Sequence, residues 1–212
     1  MWCPNDKRGC LTDTVGQISP NTTVGKLLMD LVSSTPLQTI VDIGTWNGLG
    51  STRCFLLGLQ ESTRLISLET NREKNELAKY NLASLMKPNA DICWGSILKA
   101  RDLVGLDTVF PDFKESEELQ RWHSIDVANL EAAPYVLDKV PAILDFVLFD
   151  GGEFTTYYEF QVLFPRCTRY IALDDVHTPK CKRIRTLLQE NFDWKEVAYI
   201  PERNGFSLFE KQ

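Results

Sequence analysis

The chain is short of several features, and each absence closes a class of function. Its six cysteines include no Cys-x-x-Cys pair. Cys54, Cys93 and Cys167 fall inside or beside segments that read as buried, so free thiols in a reducing compartment are expected rather than a disulfide frame or a zinc site. Cys3 and Cys10 could pair, but nothing in the sequence requires it. No long Lys/Arg run offsets the formal net charge of -6. A nucleic-acid binder usually presents a basic face, so no nucleic-acid partner is expected. No apolar stretch approaches membrane-spanning length, and no membrane partner is expected. The opening Met1-Trp2-Cys3-Pro4-Asn5-Asp6-Lys7-Arg8 lacks the apolar centre of a signal peptide, which points to a cytoplasmic protein. Internal repeats and low-complexity tracts are also absent.

What is present reads as alternating strands and helices. The 212 residues are 43% hydrophobic, enough for an α/β domain with a full core. Residues 1–16 look irregular, and residues 17–212 read as one domain. Ser19-Pro20-Asn21-Thr22-Thr23 is a run of helix-capping types, and Val24, Leu27, Leu28, Leu31 and Val32 follow at helical spacing. The organising stretch comes next. Thr39-Ile40-Val41-Asp42-Ile43 is apolar and β-branched, as a buried parallel strand should be. Gly44-Thr45-Trp46-Asn47-Gly48-Leu49-Gly50 then breaks it, and a helix begins near Ser51. Strand, glycine turn and helix open a nucleotide-binding α/β unit. The carboxylate of Asp42 at the strand end suits a ligand ammonium or hydroxyl and would repel a pyrophosphate.

Further strands are predicted at 64–69, 90–94, 144–150 and 169–175, with helices near 71–85, 155–164 and 178–190. Strands at 194–200 and 205–210 read as a closing antiparallel hairpin. Right-handed crossovers make the first five strands a parallel sheet with helices on both faces. The expected fold class is therefore α/β: a doubly wound, seven-stranded, mostly parallel sheet ending in an antiparallel hairpin. The segment from about 97 to 141 is too long for a simple connection. It reads as a crossover helix plus an insertion of the kind that forms a lid or a substrate wall, with the charge run Lys114-Glu115-Ser116-Glu117-Glu118 on a solvated helix face.

These residues resemble the class I S-adenosylmethionine-dependent methyltransferases over nearly the whole chain, with a Rossmann-like fold implied. Val41-Asp42-Ile43-Gly44-Thr45-Trp46-Asn47-Gly48-Leu49-Gly50-Ser51 looks like their first motif, with Trp46 at the middle glycine position. The small-molecule O-methyltransferases, including those like catechol O-methyltransferase, tolerate that departure. Glu69 stands where the family places its ribose-binding acid, and Gly95-Ser96 where residues near the adenine are found. The resemblance implies a cofactor site of Asp42, Gly44, Thr45, Trp46, Asn47, Gly48, Gly50, Ser51, Glu69, Gly95, Ser96 and Asp150. The turn amides at the helix start can meet the cofactor carboxylate. Asp42 can take its ammonium, and Glu69 its ribose hydroxyls.

Phe149-Asp150-Gly151-Gly152 and Ala172-Leu173-Asp174-Asp175-Val176 resemble the strand ends of metal-dependent O-methyltransferases, especially those that modify sugars. The resemblance implies that Asp150, Asp174 and Asp175 hold a divalent ion. Adjacent parallel strands would bring these carboxylates to one rim, where they repel unless a cation or protons intervene. An all-oxygen set suits Mg²⁺, with Ca²⁺ or Mn²⁺ also suitable. Asp150, Glu153, His177 and Lys180 are the candidates for handling the acceptor proton. His177 reads equally as a base or metal neighbour and as a surface histidine. For Glu153 and Lys180 the solvated surface is the favoured reading, and for His123 a histidine without a functional role. The expected reaction is metal-assisted O-methylation of a small-molecule acceptor bearing a diol, a sugar or a catechol. A homodimer stays open, since many relatives form dimers. Another enzyme on this scaffold, an N-methyltransferase or a hydroxylase-like relative, also stays open, as does a non-catalytic module that binds the cofactor. The Tyr135-x-x-x-Lys139 spacing of a short-chain dehydrogenase is set aside, because Pro134 and Pro141 leave no room for the helix it needs.

Overall fold

The structure is a computed structural model, and it describes Gly16 and residues 18–212. The irregular segment expected at 1–16 lies, Gly16 apart, outside the described residues, as do Cys3 and Cys10. Strand β1 (Thr39–Ile43) is flanked by β2 (Arg64–Glu69) and β4 (Leu144–Phe149). β3 (Ala90–Trp94), β5 (Cys167–Asp174), β6 (Trp194–Ile200) and β7 (Phe206–Lys211) complete a seven-stranded sheet in the order β3-β2-β1-β4-β5-β7-β6. β1 to β5 run parallel, and β7 inserts antiparallel between β5 and β6.

Among the described residues seven α-helices accompany the sheet: α1 (Thr23–Ser34), α2 (Ser51–Gly58), α3 (Arg72–Leu82), the single turn α4 (Leu106–Val109), α5 (Glu117–Ala132), α6 (Thr156–Leu163) and α7 (Pro179–Gln189). The caps are those the sequence signals. The Thr22 side chain accepts from the Gly25 N–H, and that of Asn71 accepts from the Lys74 N–H. Two apolar layers sandwich the strands, and the strand period of two sorts residues between them. Val41, Ile43, Ile66, Leu68, Val147 and Phe149 face the layer that holds Leu163 and Ile184. Ile40, Leu65, Phe146 and Leu148 face the layer that holds Leu28, Phe55 and Leu82. Asp42 and Ser67 fall on this second face, beneath the start of α2.

Boundaries shift where local chemistry decides. β5 stops at Asp174 because Asp175 adopts φ +58°, which no strand continues. The 97–141 segment resolves into α4, α5 and short 3-10 turns, with Ser116 capping α5 and Glu117 and Glu118 in its first turn. An acidic first turn complements the positive end of the helix, and these residues are solvent-exposed as expected. Tyr135 to Lys139 forms no helix beyond a 3-10 turn at Leu137–Lys139, which removes the dehydrogenase geometry. No described helix is long and apolar enough to cross a membrane.

Candidate active site

The site lies along the carboxyl ends of the parallel strands, where open α/β sheets bind ligands. At β1 the chain turns through Gly44 at φ +99°. A Cβ there would stand 2.0 Å from the Asp150 carbonyl oxygen, so the tight approach of β1 and β4 requires glycine. Trp46 also takes a positive φ, +48°, and its N–H donates to Glu69 Oε2 at 2.6 Å. The Asn71 N–H donates to the other oxygen, Oε1, at 2.8 Å. Glu69 is thus fixed by two backbone donors, and burial raises its pKa against their pull. Each carboxylate oxygen accepts more than one hydrogen bond, so capacity remains for a diol.

Asp42 is fully buried. Ser51 Oγ at 2.9 Å, Thr52 Oγ1 at 2.6 Å and Ser67 Oγ at 2.9 Å all donate to it. Burial outweighs these three donors and lifts its pKa to about 6. Thr45 joins the same network through Ser67 at 2.6 Å. Asn47 accepts the Leu49 N–H, and Gly48 packs on Ala78 and Leu82 of α3. Gly50 caps α2 without a side-chain bond, and Ser51 opens that helix. The first-motif residues therefore form one connected turn. Gly95 and Ser96 leave β3 buried, and Ser96 pairs its N–H and carbonyl with Pro134 and Val136.

A different chemistry occupies the ends of β4 and β5. Asp150, Asp174 and Asp175 offer oxygens within 4.8 Å of one another. Lys180, from the first turn of α7, lies among them. Its Nζ is 2.6 Å from Asp150 Oδ1 and 2.7 Å from Asp175 Oδ2. The expectation that Lys180 is solvated surface is therefore corrected, since its residue exposure is 5%. Side chains in a first helical turn lean toward the helix start, which here faces the strand ends. Burial pushes the amine down, but Asp150 and Asp175 hold it well above its ordinary value. Asp175 is held below the usual carboxylate range, because Lys180 and Asn204 outweigh its burial. The three carboxylates have the chemistry of a Mg²⁺ site, yet two of them already carry a cation. As the side chains stand, they do not fit a divalent ion as well.

His177 turns away from this rim. It is exposed, and its Nε2 lies 2.7 Å from the Tyr199 hydroxyl. The left-handed Asp175 and the pairing of His177 N–H with the Asn204 carbonyl send its ring toward β6. Glu153 is half-buried beside the Lys180 backbone N–H, and burial raises its pKa. His123 packs edge-on against Phe113 and Phe154.

Two carboxyls escaped the sequence reading. Asp126 of α5 accepts the Phe154 N–H at 2.9 Å and closes over Gly152. Burial raises its pKa to about 6. Nothing in the sequence of an irregular insertion says where its helix lands. Glu159 of α6 is buried beneath Gly151 and accepts from Thr155 Oγ1 at 3.2 Å. Burial raises it to about 8. A single acid inside Tyr157-Tyr158-Glu159-Phe160 was the available signal. α5 also reaches the β2 rim, where Asn71 Nδ2 donates to Asn129 Oδ1 at 3.2 Å.

No protein-family model matches the chain, and no curated protein is similar to it in sequence. Solved structures do share its shape. A methyltransferase from Geobacter sulfurreducens superposes with a TM-score of 0.60 at 14% identity, over 90% of this chain and 80% of that one. The O-methyltransferase from Bacillus cereus in complex with SAH gives 0.61 at 16% identity, over 93% and 84%. The O-methyltransferase TomG from Streptomyces achromogenes, involved in tomaymycin synthesis and in complex with SAM, gives 0.59 at 18% identity, over 89% and 79%. The fold is that of the Rossmann-like methyltransferases. At these identities the likeness is one of fold. The reversed β7 between β5 and β6 is the feature that separates this methyltransferase fold from an all-parallel sheet.

Proposed function

We propose that this chain is an S-adenosylmethionine-dependent methyltransferase that methylates a hydroxyl of a small molecule in the sugar or catechol-like diol class. The observation that carries the reading is Glu69. It is a buried strand-end carboxylate aimed by the amides of Trp46 and Asn71, beside a glycine turn that reaches Asp150. That donor set suits a ligand with a ribose diol and no phosphate. Neighbouring folds in complex with SAM or SAH add to it. S-adenosylmethionine supplies an electrophilic methyl group on a sulfonium sulfur.

The chain's own residues account for the rest. The turn of Gly44 to Gly50 and Glu69 would hold the cofactor, beside the Asp150 rim that Gly44 approaches. The acceptor hydroxyl must arrive in line with that methyl, and alignment supplies much of the acceleration. Lys180 offers positive charge to the oxygen as it loses its proton. Asp126, ionised above about pH 6 and folded over Gly152, would take that proton. Metal assistance is left out of the reading because Lys180 already meets Asp150 and Asp175.

The test is transfer of a deuterated methyl group from labelled S-adenosylmethionine to a panel of sugars, catechols and amines, read by mass spectrometry. Labelled ether products from diols support the reading. Label on amines alone moves it to N-methylation. No label on any acceptor, from folded protein that binds the cofactor, overturns it in favour of a binding module.

A further inference from the structure

We infer that the ammonium of Lys180 is the built-in cation of the Asp150–Asp174–Asp175 cluster, standing where a divalent ion would have to bind. The inference rests on side-chain geometry alone and does not depend on the cofactor reading.

The geometry is that of a cation site already filled by the chain. Lys180 Nζ bridges one oxygen of Asp150 and one of Asp175, at 2.6 and 2.7 Å. Those carboxylates come from the ends of two adjacent strands, and the amine comes from the next helix. Asp175 contributes only because it takes a left-handed φ of +58°, a conformation that disfavours most side chains but that aspartate tolerates. Asn204 holds its other oxygen at 3.0 Å, and Thr178 Oγ1 holds its carbonyl at 3.0 Å. The strained turn, its two supports and the bridging amine form one unit.

Lys180 also stands at an unfavourable place for a lysine. It is the second residue of α7, after Pro179 at the first helical position. A cation in the first turn opposes the helix dipole. A nearly buried amine there needs specific anions, and Asp150 and Asp175 provide them. Mg²⁺ asks for near-octahedral oxygen ligation and keeps several waters. An ion ligated by Asp150 and Asp175 would have to share their oxygens with an ammonium already in hydrogen-bond contact.

The test is titration of the free protein, without cofactor, with Mn²⁺, with bound ion counted by electron paramagnetic resonance. The proteins are wild type, Asp174→Asn, Lys180→Gln and Lys180→Gln combined with Asp174→Asn. The inference predicts no saturable Mn²⁺ binding to wild type up to about 1 mM, a range in which weak oxygen-only sites fill. It predicts one Mn²⁺ per chain in Lys180→Gln, at least ~10-fold tighter, and loss of that ion when Asp174→Asn is added. Saturable binding to wild type that Asp174→Asn abolishes overturns the inference. So does absence of binding in both wild type and Lys180→Gln. If circular dichroism shows Lys180→Gln unfolded, Lys180→Met takes its place, with the same outcomes expected. Because no cofactor is present, failure here is distinct from failure of the methyltransferase reading.

Discussion

Two rims of one sheet satisfy their carboxylates in opposite ways. At the ends of β1 and β2, Asp42 rests on three hydroxyls and Glu69 on two backbone amides. At the ends of β4 and β5, Asp150 and Asp175 rest on an ammonium. Neutral donors fix a shape without adding charge, which suits a rim whose task is to hold a turn. A buried ion pair adds charge that a reacting oxygen can feel, and it costs desolvation to keep. On the proposed function, the difference separates a positioning rim from a chemical rim.

The largest effect should come from breaking the charged rim. Lys180→Ala strands two carboxylates and should cost about 3–5 kcal/mol of stability in urea unfolding. The loss should shrink as pH falls and the stranded acids protonate. A loss well under that range would dissolve the contrast between the rims. Glu159→Gln comes next and works through pH. Glu159 titrates at about 8 in the fold and at 4.5 ordinarily, so its folded state holds a proton that the unfolded chain releases. The stability it lends is present below about 4.5 and is lost as pH rises toward 8. The Gln variant should match wild type at low pH and exceed it by on the order of 4–5 kcal/mol at and above pH 8. Equal stability at both ends would show that the carboxyl is not buried in neutral form.

Smaller effects sharpen the comparison. Asp42→Ala leaves three hydroxyls without their acceptor and should cost about 1–3 kcal/mol in thermal unfolding. Asp126→Asn should lower kcat roughly 10²-fold with little change in KM, and should remove a rate limb near pH 6. His177→Ala, outside both rims, should change stability by no more than about 0.5 kcal/mol and leave turnover intact.

The positioning rim was the more legible of the two. Thr39–Ile43, the glycine turn and Glu69 are contiguous signals, and a parallel strand order follows from the alternation of elements. What the sequence could not show is how Asp42 would be satisfied, because Ser51, Thr52 and Ser67 meet it only once α2 packs over β1 and β2. At the chemical rim, the three aspartates were visible and their convergence followed from adjacent strands. The occupant was not, because Lys180 reads as an ordinary helix-start residue until the turn at Asp175 is seen. His177, two residues past the aspartate pair, looked nearer the chemistry than it is for the same reason. Asp126 depended on where a 16-residue helix in an irregular insertion comes to rest, a tertiary result with no local signature.

The most direct test of the central claim is calorimetric titration of S-adenosylmethionine into wild type and Glu69→Ala, each in buffer with chelator. Micromolar binding to wild type, weakened at least ~10-fold in the variant, is the predicted result. Folded wild-type protein that takes up no cofactor, or that binds it equally well without Glu69, would contradict the claim.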